Sequence, residues 1–219
     1  MPRQYRELEW YKLFFSKTKY DKQQKEAGLA ISIKHLNRRS TAFDLSLRFN
    51  NQLADMGLAY VLKYQKENNA KKYFEILMKR NNPITQTVLL NEIPLITRGK
   101  VKVDDLDVPK GEINSKKIAE YYSIARKYVL PEIEQHLASF IHLLPEDQII
   151  PEAKRLISKN NYEINDRLLH KIKFVKDEEF SFSTKMEILK LLEQTEQADY
   201  LKQKTKDVKI YIIRNQLDD

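Results

Sequence analysis

Only four glycines occur in the 219 residues, at positions 28, 57, 99 and 111, and no other single feature limits the available folds as much. Glycine lets a backbone enter left-handed conformations and approach a phosphate closely. No two of the four are near enough to build a phosphate-cradling loop. The P-loop, the GxGxxG dinucleotide turn and the GxSxG nucleophile elbow are therefore excluded together. Cysteine is absent, which removes disulfide frameworks, thiol catalysis and cysteine-based zinc fingers. What remains is a chain that must make its turns with other residues, and helices need the fewest turns.

Helical periodicity supports this. Tyr5, Leu8, Tyr11 and Phe15 form one stripe, and Trp10 and Phe14 widen it beyond the arc a surface helix needs. That helix is read to about Ala27, with a break at Gly28 and a basic connector ending at Arg38 and Arg39. Ala42, Leu45, Phe49, Leu53, Met56, Tyr60 and Tyr64 recur at spacings of three and four, behind a capping-box pair Thr41 and Asp44. This predicts a helix to Glu67, stopped by Asn68 and Asn69, and a shorter helix over 70–80.

The middle reads differently. Residues 87–96 hold two apolar runs around Pro94, and Val101 and Val103 alternate with lysines. A β-hairpin or irregular lobe is expected over 95–108. Helical spacing returns at Ser115 and continues through Ile118, Tyr122, Ala125, Val129, Ile133, Leu137, Phe140 and Leu144, interrupted by Pro131. Pro145 and Pro151 bracket a loop. Helices are expected over 151–159, over 166–175, and from a Thr184/Glu187 cap to about Lys204. Val208 to Ile213 reads as a short C-terminal strand.

The fold class is therefore mainly α: a multi-helix bundle or irregular helical array with a small central β-hairpin and a short C-terminal strand. The expected organisation is a basic, aromatic-rich helical lobe over 1–82, an irregular or β connector over 83–114, and a helical lobe over 115–219.

Charge is unevenly placed. Residues 1–82 carry 17 Lys and Arg against 8 Asp and Glu, whereas residues 83–219 carry 22 against 23. A localised excess is a field that steers and holds anions, unlike a lysine excess spread along the chain. No apolar run approaches the ~20 residues that span a bilayer, so no membrane partner is expected. No apolar stretch follows a basic start, and Glu7 and Glu9 interrupt the acid-poor pattern of a transit peptide. A cytoplasmic location is expected.

Catalytic patterns fail in turn. His136 and His142 do not share a face of one helix, no HExxH or HxxxH occurs, and no metal or cofactor is expected. Helical ribonucleases of the HEPN type pair an Arg with a following His, but Arg167 stands too close to His170 for that motif. The acidic run Asp104, Asp105 and Asp107 is read as a solvated turn. Asp207 and Lys209 have their apolar strand on the wrong side for a restriction-like nuclease motif. A nuclease is thus the weakest reading, and no catalytic residue is assigned.

Phosphate binding needs Lys and Arg at fixed positions, and base stacking needs accessible aromatics. The expected function is a non-enzymatic nucleic-acid-binding subunit of a larger complex, with RNA or DNA as partner. Its contacts are assigned to Arg3, Arg6, Lys12, Lys17, Lys19, Lys34, His35, Arg38 and Arg39. The alternative is an assembly subunit that docks on protein through Trp10, Tyr11, Phe14 and Phe15, whose broad apolar arc would suit a partner's groove.

Overall fold

The computed structural model describes Asp55, Leu58, Ala59 and residues 62–103, 106–196 and 199–218. The helices expected over 3–27 and, for most of its length, over 42–67 lie outside the described residues. The chain divides into two compact units, Met1–Leu130 and Pro131–Asp219.

In the first unit a 3₁₀ turn, Leu62–Tyr64, precedes helix α1, Glu67–Met78. Asn68 and Asn69, expected to stop a helix, instead lie in the first turn of this one. The first-turn N–H groups have no intrahelical partner, so polar residues are tolerated there at little cost. Helix α1 buries Ala70, Tyr73, Phe74, Leu77 and Met78. It ends through Asn81, at φ 50°, and Asn82 then caps helix α2, Pro83–Ile96, by accepting from the Thr85 N–H at 3.0 Å. The asparagine pair does glycine's work and a cap's work in succession.

Helix α2 corrects the sequence reading, which grouped these residues with an irregular connector. Its apolar residues lack a clear stripe because Thr85, Gln86 and Glu92 share the buried face with Leu89, Leu90, Ile93 and Ile96, while the apolar Ile84 is exposed on the other side. Pro83 sits in the first turn, where its missing N–H costs nothing. Pro94 is accommodated near the end.

Strands β1, Arg98–Val103, and β2, Leu106–Ile113, form the central antiparallel hairpin, with Val101 opposite Val108 and Lys100 opposite Pro109. The register shifts between Arg98 and Lys100, where Gly99 meets Gly111. A Cβ on Gly111 would lie 2.8 Å from the Gly99 Cα, so this crossing needs glycine at 111, whereas a Cβ on Gly99 would stand 3.4 Å from the Gly111 Cα. Helix α3, Ser115–Tyr128, is capped by Asn114 and packs the Tyr121 ring edge-on to Phe74, centroids 5.0 Å apart.

In the second unit Pro131 opens a 3₁₀ turn, Pro131–Ile133, rather than kinking a helix. Helix α4, Gln135–Ala138, and a second 3₁₀ turn, Ile141–Leu143, follow. The helical spacing expected to continue past Pro131 to Leu144 is thus broken into short turns. Helix α5, Glu146–Ile157, contains Pro151, which the sequence reading placed at the end of a loop. Asn160, at φ 49°, and Asn161, which accepts from the Glu163 and Ile164 N–H groups, repeat the Asn81–Asn82 corner and start helix α6, Tyr162–Phe174. Helix α7, Phe182–Glu193, is capped by Ser181 rather than Thr184 and ends well before Lys204.

The expected C-terminal strand is helical. Residues 208–213 lie within helix α8, Asp199–Asp218. Leu201, Thr205, Val208 and Ile212 are buried at spacings of four, three and four. That helical row outweighs the strand propensity of a β-branched run. The mainly α architecture with a central hairpin stands as read from the sequence. Among the described residues no helix is long and apolar enough to cross a membrane.

Candidate functional site

Helix α6 is amphipathic, and its two faces have different tasks. Ile164, Leu168, Leu169 and Ile172 are buried and fix the helix in its unit. The opposite side carries two adjacent rows at i, i+4 spacing: Tyr162, Asp166, His170 and Phe174 in one, Glu163, Arg167 and Lys171 in the other. Six of these residues, with Gln135 and Ser139 from the α4 segment, line a cleft of about 630 Å³.

Opposite charges within the cleft are partly spoken for. The Lys204 ammonium of α8 donates to the Asp166 carboxylate, and this hydrogen bond raises the lysine's pKa above its ordinary value. Arg167 Nη1 reaches Ser139 Oγ at 3.5 Å. A guanidinium cannot accept the serine's proton, so this contact orients Ser139 without activating it. Beside them, burial and the Arg167 charge hold the His136 imidazole below its ordinary pKa, while Glu163 pulls the other way.

Aromatic rings stand at both ends of α6. Tyr162 and Tyr200 place their rings 6.3 Å apart, tilted by 36°, and are 51% and 61% exposed. Phe174, also 61% exposed, lies 4.7 Å from the His170 ring. The Lys173 ammonium sits over both Phe174 and Tyr211, at 5.2 and 5.0 Å from their centroids. The arrangement offers planar faces next to cations, which suits binding of flat or anionic groups. Among the described residues no group of three or more His, Asp or Glu side chains is placed to hold a metal ion.

The nucleic-acid contacts assigned from sequence, Arg3, Arg6, Lys12, Lys17, Lys19, Lys34, His35, Arg38 and Arg39, lie outside the described residues. So do the docking aromatics Trp10, Tyr11, Phe14 and Phe15. The Met1–Leu130 unit to which they belong carries 25 Lys and Arg against 14 Asp and Glu, and the Pro131–Asp219 unit 14 against 17. Several described cations of the first unit are already paired: Lys71 with Glu120, Lys117 with Glu67, and Lys79 with Glu75. Lys66, Lys72, Lys110 and Lys116 are exposed.

The cleft was only half legible in the sequence. The two i, i+4 rows are visible once α6 is recognised. In the sequence Arg167 and His170 stand out only as a pair too closely spaced for a nuclease motif. Nothing in the sequence announces that Ser139 and Tyr200 join them, since each comes from a different element. No family model, no curated protein and no solved structure matches the chain.

Proposed function

We propose that the protein is a non-enzymatic nucleic-acid-binding subunit of a larger complex, contacting the phosphate backbone with its N-terminal third. One observation carries the reading: the Met1–Leu130 unit has an excess of eleven positive charges, while the Pro131–Asp219 unit has an excess of three negative ones. A field concentrated in one unit attracts a polyanion and orients it, whereas the same charge spread evenly would mainly aid solubility. Arg38 and Arg39, with Lys34 and His35 before them, form the densest cationic segment of that third. The aromatics Trp10, Tyr11, Phe14 and Phe15 of the same third supply the docking surface for a protein partner in the same complex.

Fluorescence-anisotropy titration against short single- and double-stranded RNA and DNA over a range of salt tests the reading. Binding should weaken steeply with salt, with a log–log slope reflecting several displaced counterions. Arg38→Glu with Arg39→Glu should abolish binding while circular dichroism stays unchanged. Absence of binding at low salt overturns the proposal. Trp10→Ala should reduce partner association without lowering nucleic-acid affinity, and global unfolding of that variant would assign the aromatics to the core instead.

A further inference from the structure

The second unit is net acidic, so a groove within it that gathers cations and exposed rings is a local exception. We infer that the cleft between the α4 segment and α6 binds single-stranded nucleic acid, with Arg167 and Lys171 on phosphates and Tyr162 with Tyr200 as the stacking platform. The inference rests on the nucleic-acid reading above and adds both a second contact surface and the strandedness of the ligand.

Three observations support it. First, the cations are directed into the cleft by helix geometry. Arg167 and Lys171 are four residues apart on one row, His170 flanks them, and all three line the same 630 Å³ space. Of the two acids in the lining, Asp166 is held by Lys204. This leaves Glu163 as the acid set against Arg167 and Lys171. Second, the rings are more than half exposed on the outer side of helices whose buried rows are otherwise filled. Large apolar faces in that position cost hydration unless something covers them. Third, rings and cations alternate. Lys204 lies 5.9 Å from the Tyr200 centroid, and Lys173 caps Phe174. Tyr162 and Phe174 stand about 18 Å apart along the helix axis, so a strand lying along α6 meets a ring at each end.

With Asp166 held by Lys204, Arg167 and Lys171 face Glu163 alone, a balance that favours an anion, and the rings select one with free base faces. Duplex bases are stacked on each other and present only edges and phosphates, so a duplex could use the cations but not the tyrosines.

The test uses the full-length protein with fluorescein-labelled oligo(U) and a duplex RNA of the same length. Tyr162→Ala with Tyr200→Ala should weaken oligo(U) binding about tenfold or more while leaving the salt slope unchanged. Arg167→Gln with Lys171→Gln should reduce the single-strand salt slope by about 1.4. Duplex affinity should change less than twofold with the tyrosine pair. Glu163→Gln should tighten oligo(U) binding. All these positions are half-exposed or exposed, and thermal melts check that each variant keeps its fold.

Photocrosslinking with oligo(U) containing 5-iodouridine should place adducts on peptides holding Tyr162 or Tyr200, a readout that does not depend on affinity. Wild-type affinity in both double variants, with no adduct in α6 or α8, overturns the groove. If Arg38→Glu with Arg39→Glu still abolishes binding in that case, the proposed function survives without it. No binding by the wild-type protein overturns both. Competition by poly-glutamate as effective as by unlabelled oligo(U) overturns the assignment in favour of an acidic protein. Loss of a dimer on light scattering of the tyrosine variant does so in favour of a second copy of the chain.

Discussion

The two units keep their buried polar groups in opposite ways. In the first, polar side chains inside the core tie together segments distant in sequence. The Arg80 guanidinium donates to Asp55, Lys63 lies 2.9 Å from Glu92, and Gln86 donates to the carbonyls of Met78 and Tyr128 while accepting from the Leu130 N–H. In the second, the buried polar groups mostly satisfy themselves locally. Glu152 pairs with Arg155 one turn on, and Lys185 donates to Val175 and Asp177 just before its own helix. Of the longer ties there, Arg155–Glu134 is part-buried, whereas Lys204–Asp166 and Lys209–Glu193 lie nearer the surface. A core tied by distant polar pairs is fixed in register but loses much when one partner goes. A core of apolar helix faces loses a little everywhere.

The largest expected break is Glu92→Leu, which removes the carboxylate 2.9 Å from the Lys63 ammonium, itself 8% exposed, and should cost about 3 kcal/mol in urea unfolding. Lys63→Met added to it should recover most of that loss. A single-variant cost below about 1 kcal/mol would erase the contrast between units. Next, Gln86→Leu leaves two carbonyls and one N–H without their partner and should cost about 3 kcal/mol. Crystallographic water in their place, with little destabilisation, would count against it.

Acid should then separate the units by sign. Burial pushes the Asp55 carboxyl from 3.8 up to about 6, against the pull of Arg80. Between those values the native state holds the extra proton, so this group's contribution to stability falls as pH rises. Burial, aided by Lys171, lowers His142 from 6.5 to about 4, and its Nδ1 is enclosed without a hydrogen-bond partner. Here the unfolded chain holds the extra proton, so stability is lost as pH falls from 6.5 towards 4. Each group contributes on the order of 3 kcal/mol across its window. Thermal melts of Asp55→Asn and His142→Gln between pH 4 and 7 should show pH slopes changed in opposite directions. Slopes that change the same way would sink the comparison. The smallest effect belongs to the surface: Lys209→Ala, despite a 2.8 Å contact with Glu193, should cost no more than about 0.5 kcal/mol by the same unfolding assay.

Sequence reading succeeded where apolar residues and the buried face coincide and failed where polar residues enter the buried row or apolar ones lie outside it. The stripe of Ile118, Tyr122 and Ala125 located α3 because its other side meets water. Helix α2 does not show its period because its buried face mixes Thr85, Gln86 and Glu92 with apolar residues and Ile84 lies exposed on the other side. The strand expected over 208–213 came from Ile210, Tyr211 and Ile213, which are surplus apolar residues on the exposed side of α8. Asparagine pairs were ambiguous for a different reason. Asn68–Asn69 enters a helix, whereas Asn81–Asn82 and Asn160–Asn161 separate two. The dipeptide is the same, and which role it takes depends on where the flanking helices find their buried rows.

Those two corners also bear on how the chain can change over generations. Each asparagine at a corner has its own task, one closing a helix with a positive φ and the next opening another with its side chain. There is no idle residue between them. An inserted residue has either to bulge out of the corner or to be taken up by the next helix. In the latter case it turns that helix by about 100° and moves it about 1.5 Å, exchanging its buried row for an exposed one. Drift in length is therefore expelled from both junctions, and α1 with α2, like α5 with α6, should be inherited as indivisible pairs.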